Sequence, residues 1–430
     1  MDYINWMLSR GDPQGGYTLE NVKALLNLLD NPQDKIKIIH VAGTNGKGSL
    51  LNYLSTTLSN SGVKCGEFTS PYIDTIYEAI KINNKYISEE DFTYYLKKIY
   101  LKVVELDSKG MYTTTFEIFS ALSYLYFYEK NVDIALIEVG MGGRTDGTNT
   151  MKNPLATLIT SISFDHVAIL GNTLSEIAYQ KGGIIKENSA LFLYPQKEEA
   201  LEVINQIARE KNAPIHSFSF NEVEILKSDE EGNIFNFRNH KNVKTSLLGE
   251  HQAYNAALAL MVLDELKSEF NLSEDVILKS ICETKNIARL EVISKNPTII
   301  IDGSHNSEGM ETLLKALKLF KYDKLIVGFS MLRDKDISPI REKLLPLADE
   351  IVITQINSPR KSTVEDLYDQ VKHVSDHIHK ISDRKEAFEK TLALAKKPDL
   401  VLWCGSLYLM ADIRKYAVEY KNKKPEEPSS

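Results

Sequence analysis

Apolar and polar positions along this chain keep changing between two rhythms. Short strand-like runs, the β-rich "KIKIIHVA" (35–42), "VKCGEFTS" (63–70) and the near-continuous apolar "DIALIEVG" (133–140) and "LATLITSIS" (155–163), alternate with segments of helical period. Runs this apolar predict strands of a parallel sheet covered on both faces. Helices are predicted from Ser49 to about Ser61, from Ser88 (with a capping box to Asp91), through the apolar "TTFEIFSALSYLYFYEK", after Thr173, over 197–211, over 251–270 and from Ser273. Short strands around 214–248, with an "EEGN" turn, predict a small antiparallel insert. The rhythm restarts at "PTIIIDGSH" (297–305). Strands "DKLIVGFS", "EIVITQI" and "DLVLWCGS" follow, with helices over "EGMETLLKALKLF" and "PIREKLLPLAD" and from Thr363 and Arg384. Two series of βα units predict an α/β protein: a doubly wound domain over 1–295 and a second, smaller α/β domain over 296–430, divided where "SKNP" breaks the pattern. The polar tail "KNKKPEEPSS" reads as disordered.

Length agrees, since 430 residues exceed one ordinary core. The net charge of −8 argues against a nucleic-acid partner but leaves room for small anions held by local positive charge. Three scattered cysteines, Cys65, Cys282 and Cys404, have no metal-ligand spacing and fit a reducing compartment. No signal-peptide pattern opens the chain, and no run reaches the ~18 apolar residues that span a membrane. The expectation is a cytoplasmic protein with no membrane partner.

The first chemical signal is "IHVAGTNGKGSL" (39–50). It follows a strand and opens a helix, as a phosphate-binding loop does. Its spacing departs from the usual Walker pattern: Val41 stands where the first glycine belongs, and Gly48 separates Lys47 from Ser49. Glycines let backbone N–H groups turn inward, and the helix N-terminus adds positive potential. Lys47 can bridge the β- and γ-phosphates of ATP, and Ser49 can reach Mg²⁺. Glu138 ends an apolar strand, where a parallel sheet faces its ligand crevice.

Taken with "TSPY" (69–72), "EVGMGGRTDGTN" (138–149), "FDHVAILGNTLSEIAYQKGGIIK" (164–186), "LLGEHQAYNAALAL" (247–260), "DGSHNSEG" (302–309) and "GSLYL" (405–409), this loop resembles the Mur ligase superfamily, in its folylpolyglutamate synthase/dihydrofolate synthase branch. The motifs run in order from about residue 11 to 415. The resemblance implies a Mur-ligase-like fold and an ATP-dependent amide ligase. Such an enzyme activates a carboxylate of folate, or of dihydropteroate, as an acyl phosphate and joins it to L-glutamate. It implies a monomer with two Mg²⁺ sites, and a monovalent cation as a further candidate.

By the same resemblance, Thr44, Asn45, Gly46, Lys47, Gly48 and Ser49 hold the triphosphate. Gln252 and Asn255 lie toward adenine, with helix capping as the other reading. Arg289, Asp302 and His305 serve the phosphates and ribose, although Asp302 could simply build a turn. Metal ligands would be Ser49 and Glu138 at one site, and Ser70, His166 and Lys181 (as a carbamate) at the other. Lys47, His166 and Lys181 are the catalytic candidates, and Asp165 is given no role beyond orienting its neighbour. Tyr72 and Asp146 fall in folate-adjacent segments, and Ser406 and Tyr408 can simply pack. Two departures bear on substrate preference. Tyr72-Ile73 replaces His-Leu after Ser-Pro, and "YEAI" replaces "NERI", so Ala79 stands where an arginine is usual. The Pro-Gly before Arg289 is replaced by Ile287-Ala288. A cell-wall ligase acting on a UDP-muramyl peptide is the alternative, disfavoured because only about 40 residues precede the loop, too few for a UDP-binding domain. A regulatory module without ligation is a third reading, opposed by Lys47, Glu138, His166 and Lys181 occurring together.

Overall fold

The computed structural model describes residues 2–11, 16–358 and 360–423. Its eight-stranded first sheet comprises β1 (Ile38–Ala42), β2 (Cys65–Phe68), β3 (Ile80–Ile82), β4 (Lys85–Tyr86), β5 (Ile134–Glu138), β6 (Ala156–Ile159), β7 (Ala190–Leu193) and β8 (Ile215–Ser217). The spatial order is β4-β3-β2-β5-β1-β6-β7-β8. All pairings from β2 to β8 are parallel, while β2–β3 and β3–β4 are antiparallel. The central strands β1, β5 and β6 are buried at every position, which is why they read as unbroken apolar runs. Helix Thr115–Glu129 is apolar on nearly all sides because it lies inside the core formed with helices Glu20–Leu28 and Glu89–Asp107.

The insert is a three-stranded antiparallel sheet of β9 (Val223–Asp229), β10 (Gly232–Phe237) and β11 (His240–Thr245). It is smaller than expected from 214–248, because Ile215–Ser217 joins the large sheet beside β7. A second sheet orders β12 (Glu291–Lys295), β13 (Thr298–Ile301), β14 (Leu325–Phe329), β15 (Glu350–Ile353), β16 (Ile378–Lys380) and β17 (Leu400–Cys404) as β12-β13-β17-β14-β15-β16. Only β12–β13 is antiparallel.

By its contacts the chain forms two compact units. One is Met1–Leu226 with Ile234–Thr245 and Gln252–Thr284. The other is Lys285–Ser430 with Lys227–Asn233 and Ser246–His251. The last continuous stretch of the second unit opens at Lys285, upstream of the 295/296 junction expected from the chain. "SKNP" is the end of β12 and the Asn296-Pro297 turn of the β12–β13 hairpin, and β12 goes with its partner strand. Two further readings are corrected. "PIREKLLPLAD" is not an α-helix but a π-turn, Ile340–Leu344, followed by a 3₁₀ turn, Leu345–Leu347. Pro346 has no N–H to donate, and its ring would clash with the carbonyl four residues back in an α-helix. Of the polar tail, Lys421–Lys423 end the helix Leu407–Lys423, and the rest lies outside the described residues. Among the described residues no helix is long and apolar enough to cross a membrane.

Candidate active site

The glycine loop leaves the C-terminal end of β1, the strand flanked by β5 and β6. Two of its glycines are required by contact as well as by torsion. Gly43 has φ +149°, and a Cβ there would lie 1.7 Å from Thr160 Oγ1, beyond β6. Gly46 has φ +89°, and a Cβ there would lie 2.7 Å from Asn255 Oδ1. Thr44 ties the loop to the segment after β6: its N donates to Ser161 O at 2.7 Å, its Oγ1 to Ser163 O at 3.1 Å, and Ser163 N donates back at 3.0 Å. Asn45 bridges to Ser161. On helix Glu250–Phe270 the buried Asn255 stands against Gly46 and donates to the buried Gln252 at 3.1 Å.

Lys47 begins helix Lys47–Asn60, with Gly48 and the buried Ser49 in its first turn. Its ammonium donates to Gly43 O at 3.1 Å and Thr44 O at 3.3 Å and lies 3.7 Å from Glu138 Oε1. Glu138, the last residue of β5, is buried and accepts from Ser70 N at 3.2 Å. Ser70 Oγ is buried with no hydrogen-bond partner among the described residues. Lys181, also buried, donates to Gly43 O at 2.8 Å, so two lysines share one carbonyl. Burial first, and the nearby Lys47 charge second, bring its pKa down to about 7, against the opposing pull of Asp165 and Asp146. The structure thus brings Lys47, Ser70, Glu138 and Lys181 together around Gly43. His166 is half-exposed in a left-handed conformation (φ 48°) at the start of the short helix Val167–Leu170, and Asp165 holds its backbone N–H at 2.9 Å.

Asp146 faces the loop that carries it. Its oxygens accept from Met141 N (2.8 Å), Thr148 N (3.0 Å) and Thr148 Oγ1 (2.5 Å), so its observed contacts build that turn. Thr148 Oγ1 also meets His40 Nε2 at 2.9 Å, and burial, then Lys186, hold His40 down to a pKa of about 3, neutral at pH 7. Tyr72 packs partly against the core of the first unit. The loop around it is shaped by Glu78, which accepts from the backbone N–H of Ile73, Asp74 and Thr75. That staple was not read from the sequence, although Thr75-x-x-Glu78 has the capping-box spacing that would have shown it. Ala79 is fully buried.

In the second unit, Asp302 follows β13 and accepts from Leu290 N and Ser304 N, both at 2.8 Å. This ties the Arg289 segment to the strand end. Arg289 lies between Ala288 (φ 56°) and Leu290 (φ 47°), so the alanine occupies backbone space that suits glycine. His305 Nδ1 meets Gly303 O at 2.9 Å. Ser406 is buried and Tyr408 is exposed.

Residues 41–263 match the model of the Mur ligase middle domain, and 288–407 that of the Mur ligase glutamate ligase domain. The "Dihydrofolate synthase/folylpolyglutamate synthase" of Bacillus subtilis is 37% identical over 418 residues, covering 92% of this chain and 94% of its own. The chain belongs to the folylpolyglutamate synthase/dihydrofolate synthase family of Mur ligases. Solved members share its fold closely. Mycobacterium tuberculosis folylpolyglutamate synthase, complexed with ADP and AMPPCP, aligns with a TM-score of 0.88 at 27% identity over 98% of both chains. E. coli FolC in complex with DHPP and ADP aligns with a TM-score of 0.86 at 25% identity, again over 98% of both.

Proposed function

We propose that this family member is an ATP-dependent ligase that adds L-glutamate to a folate, with dihydropteroate as a second acceptor. The convergence of Lys47, Lys181, Ser70 and Glu138 on the glycine loop carries the reading. In the first step an acceptor carboxylate oxygen attacks the γ-phosphorus of ATP, the bond to ADP breaks, and an acyl phosphate forms. In the second, the neutral amine of glutamate attacks that carbonyl carbon and gives up a proton. The tetrahedral adduct then collapses with loss of inorganic phosphate. Backbone N–H groups of residues 44–49 cradle the phosphates, and Lys47 leaves its carbonyl partners to follow the γ-phosphate as charge shifts toward ADP. Gln252 and Asn255 lie toward the base. Arg289, Asp302 and His305 are assigned to the phosphates and ribose, and Tyr72 to the folate side.

The donor set suits a hard cation: a buried carboxylate at Glu138, the hydroxyls of Ser49 and Ser70, one of them unpartnered, and His166. Mg²⁺ at these residues would neutralise the repulsion between carboxylate and triphosphate. Lys181 joins the set as a carbamate, since its burial favours the neutral amine that reacts with CO₂. We assign the enzyme to the cytoplasm as a monomer, which gel filtration checks. Phosphate release with ATP, glutamate and either tetrahydrofolate or dihydropteroate tests the activity. Turnover only with a UDP-muramyl acceptor would overturn the folate assignment.

A further inference from the structure

One row of the first sheet carries charges that the scheme above does not use. Glu67 on β2 stands directly opposite Lys81 on β3 and Leu136 on β5. Residues in register across a sheet share a face, and Glu138 lies two positions beyond Leu136 on that same face. Their strand neighbours Phe68, Ile80, Ala135 and Ile137 fill the core on the opposite face. Lys81 Nζ lies 2.5 Å from Glu67 Oε1, with the carboxylate side chain 2% exposed. The pairing is one-sided: Glu67 Oε2 is buried with no partner among the described residues. Burial opposes the Lys81 ammonium, but the charge of Glu67 and its hydrogen bond, with the charge of Glu138 farther off, outweigh it and raise its pKa, so this lysine stays charged and feels Glu138. Glu138 itself meets the Lys47 ammonium at 3.7 Å and accepts from the Ser70 N–H at 3.2 Å.

A buried ion pair stabilises a fold weakly, because desolvation offsets most of the attraction. Two apolar residues would hold β2 to β3 as well. What the pair supplies is a balanced charge beside Glu138. We propose that Glu67–Lys81 is a positioning pair for the candidate cation site, its balance setting how strongly Glu138 holds a divalent cation. This rests on the reading of Glu138 as a cation ligand. Removing the carboxylate leaves Lys81 as an uncompensated positive charge and repels the cation. Removing the ammonium leaves a negative charge, or a neutral acid, and does not repel it.

The test is Mn²⁺ binding by the intact chain with a non-hydrolysable ATP analogue, followed by electron paramagnetic resonance, with melting temperatures recorded alongside. Glu67→Gln should raise the Mn²⁺ Kd about fivefold, the scale of one unit charge about 10 Å from a divalent ion at a near-aqueous dielectric. Lys81→Met should leave the Kd equal or lower, and Glu67→Leu/Lys81→Met should return it to within about twofold of wild type. A raised Kd in Glu67→Gln without one in Lys81→Met is the signature, since a purely structural pair would weaken binding alike from either side. If both singles and the double weaken Mn²⁺ binding while Glu138→Gln abolishes it, the proposal fails and the cation reading stands. If Glu138→Gln binds as tightly as wild type, the cation reading fails first. Should the singles not fold, the double variant decides: a Kd raised about tenfold overturns the proposal.

Discussion

Gly43 O is the acceptor on which both site lysines converge. Lys47 is held by the loop's own carbonyls, Gly43 O and Thr44 O, and lies beside Glu138. Lys47→Ala should lower ligation at least ~100-fold in kcat/KM with little change in melting temperature, because the side chain is not core. Steady-state phosphate release and a thermal melt check both halves. Lys181 gives a pH-dependent expectation. With its pKa brought down to about 7, the neutral amine is the minor form at pH 6 and the major one at pH 8. Its nitrogen attacks CO₂ with loss of one proton, so carbamate should increase across that interval. ¹³C NMR with labelled bicarbonate should show a carbamate resonance that grows from pH 6 to pH 8 and is missing in Lys181→Ala. A wild-type spectrum without it at pH 8 would remove Lys181 from the ligand set. The loop, Lys47 and Glu138 were legible in the sequence because each is marked by its position at a strand end. Thr160, Glu67 and Lys81 were not, since their roles arise from register between strands that no local spacing reveals.

At the scale of elements, helix Glu250–Phe270 does two jobs. Its first turns place Asn255, braced by Gln252, against Gly46, while its later turns meet the insert through His240 of β11. His240 is buried, with Nε2 2.9 Å from Asp264 and Nδ1 2.6 Å from Glu274 of the next helix, and Lys267 pairs with both carboxylates. Hydrogen bonding to Asp264 raises its pKa against the cost of burial, with Glu274 adding to the rise. A histidine raised in the folded state stabilises fully below its unfolded value, near 6.5. That contribution is lost as pH climbs through the higher folded value. Wild type should therefore exceed His240→Gln in melting temperature by more at pH 6 than at pH 9, and a pH-independent gap would show that the clamp acts by packing alone. Its two ring nitrogens address carboxylates on different sides, so this triad does not converge on one ion. Long periodic helices were readable from the chain. The hairpin strands β3 and β4 were too short to declare themselves, and the three-residue β8 gave no sign of which sheet it joins.

For the whole molecule, the two series of βα units were legible because buried parallel strands read as apolar runs. The boundary was harder, because β12 belongs with the strand that follows it and looks like the end of what precedes it. The strand orders also separate chain position from place in the sheet. β17, the last described strand, lies between β13 and β14 at the centre of the second sheet. A chain ending at Pro398 should keep the first unit folded and lose the second, seen by limited proteolysis as a resistant fragment ending near Thr284.

That central position has a consequence for how the protein is made. On the ribosome, β1 must wait for β5 and β6, and β13 and β14 must wait for β17. Each sheet therefore closes late, after long stretches of apolar strand have been exposed. The second cannot close until Cys404 has left the exit tunnel. Synthesis speed across residues 298–404, and chaperones that shield unpaired strand edges, should thus govern the yield of active enzyme more than the stability of the finished fold does.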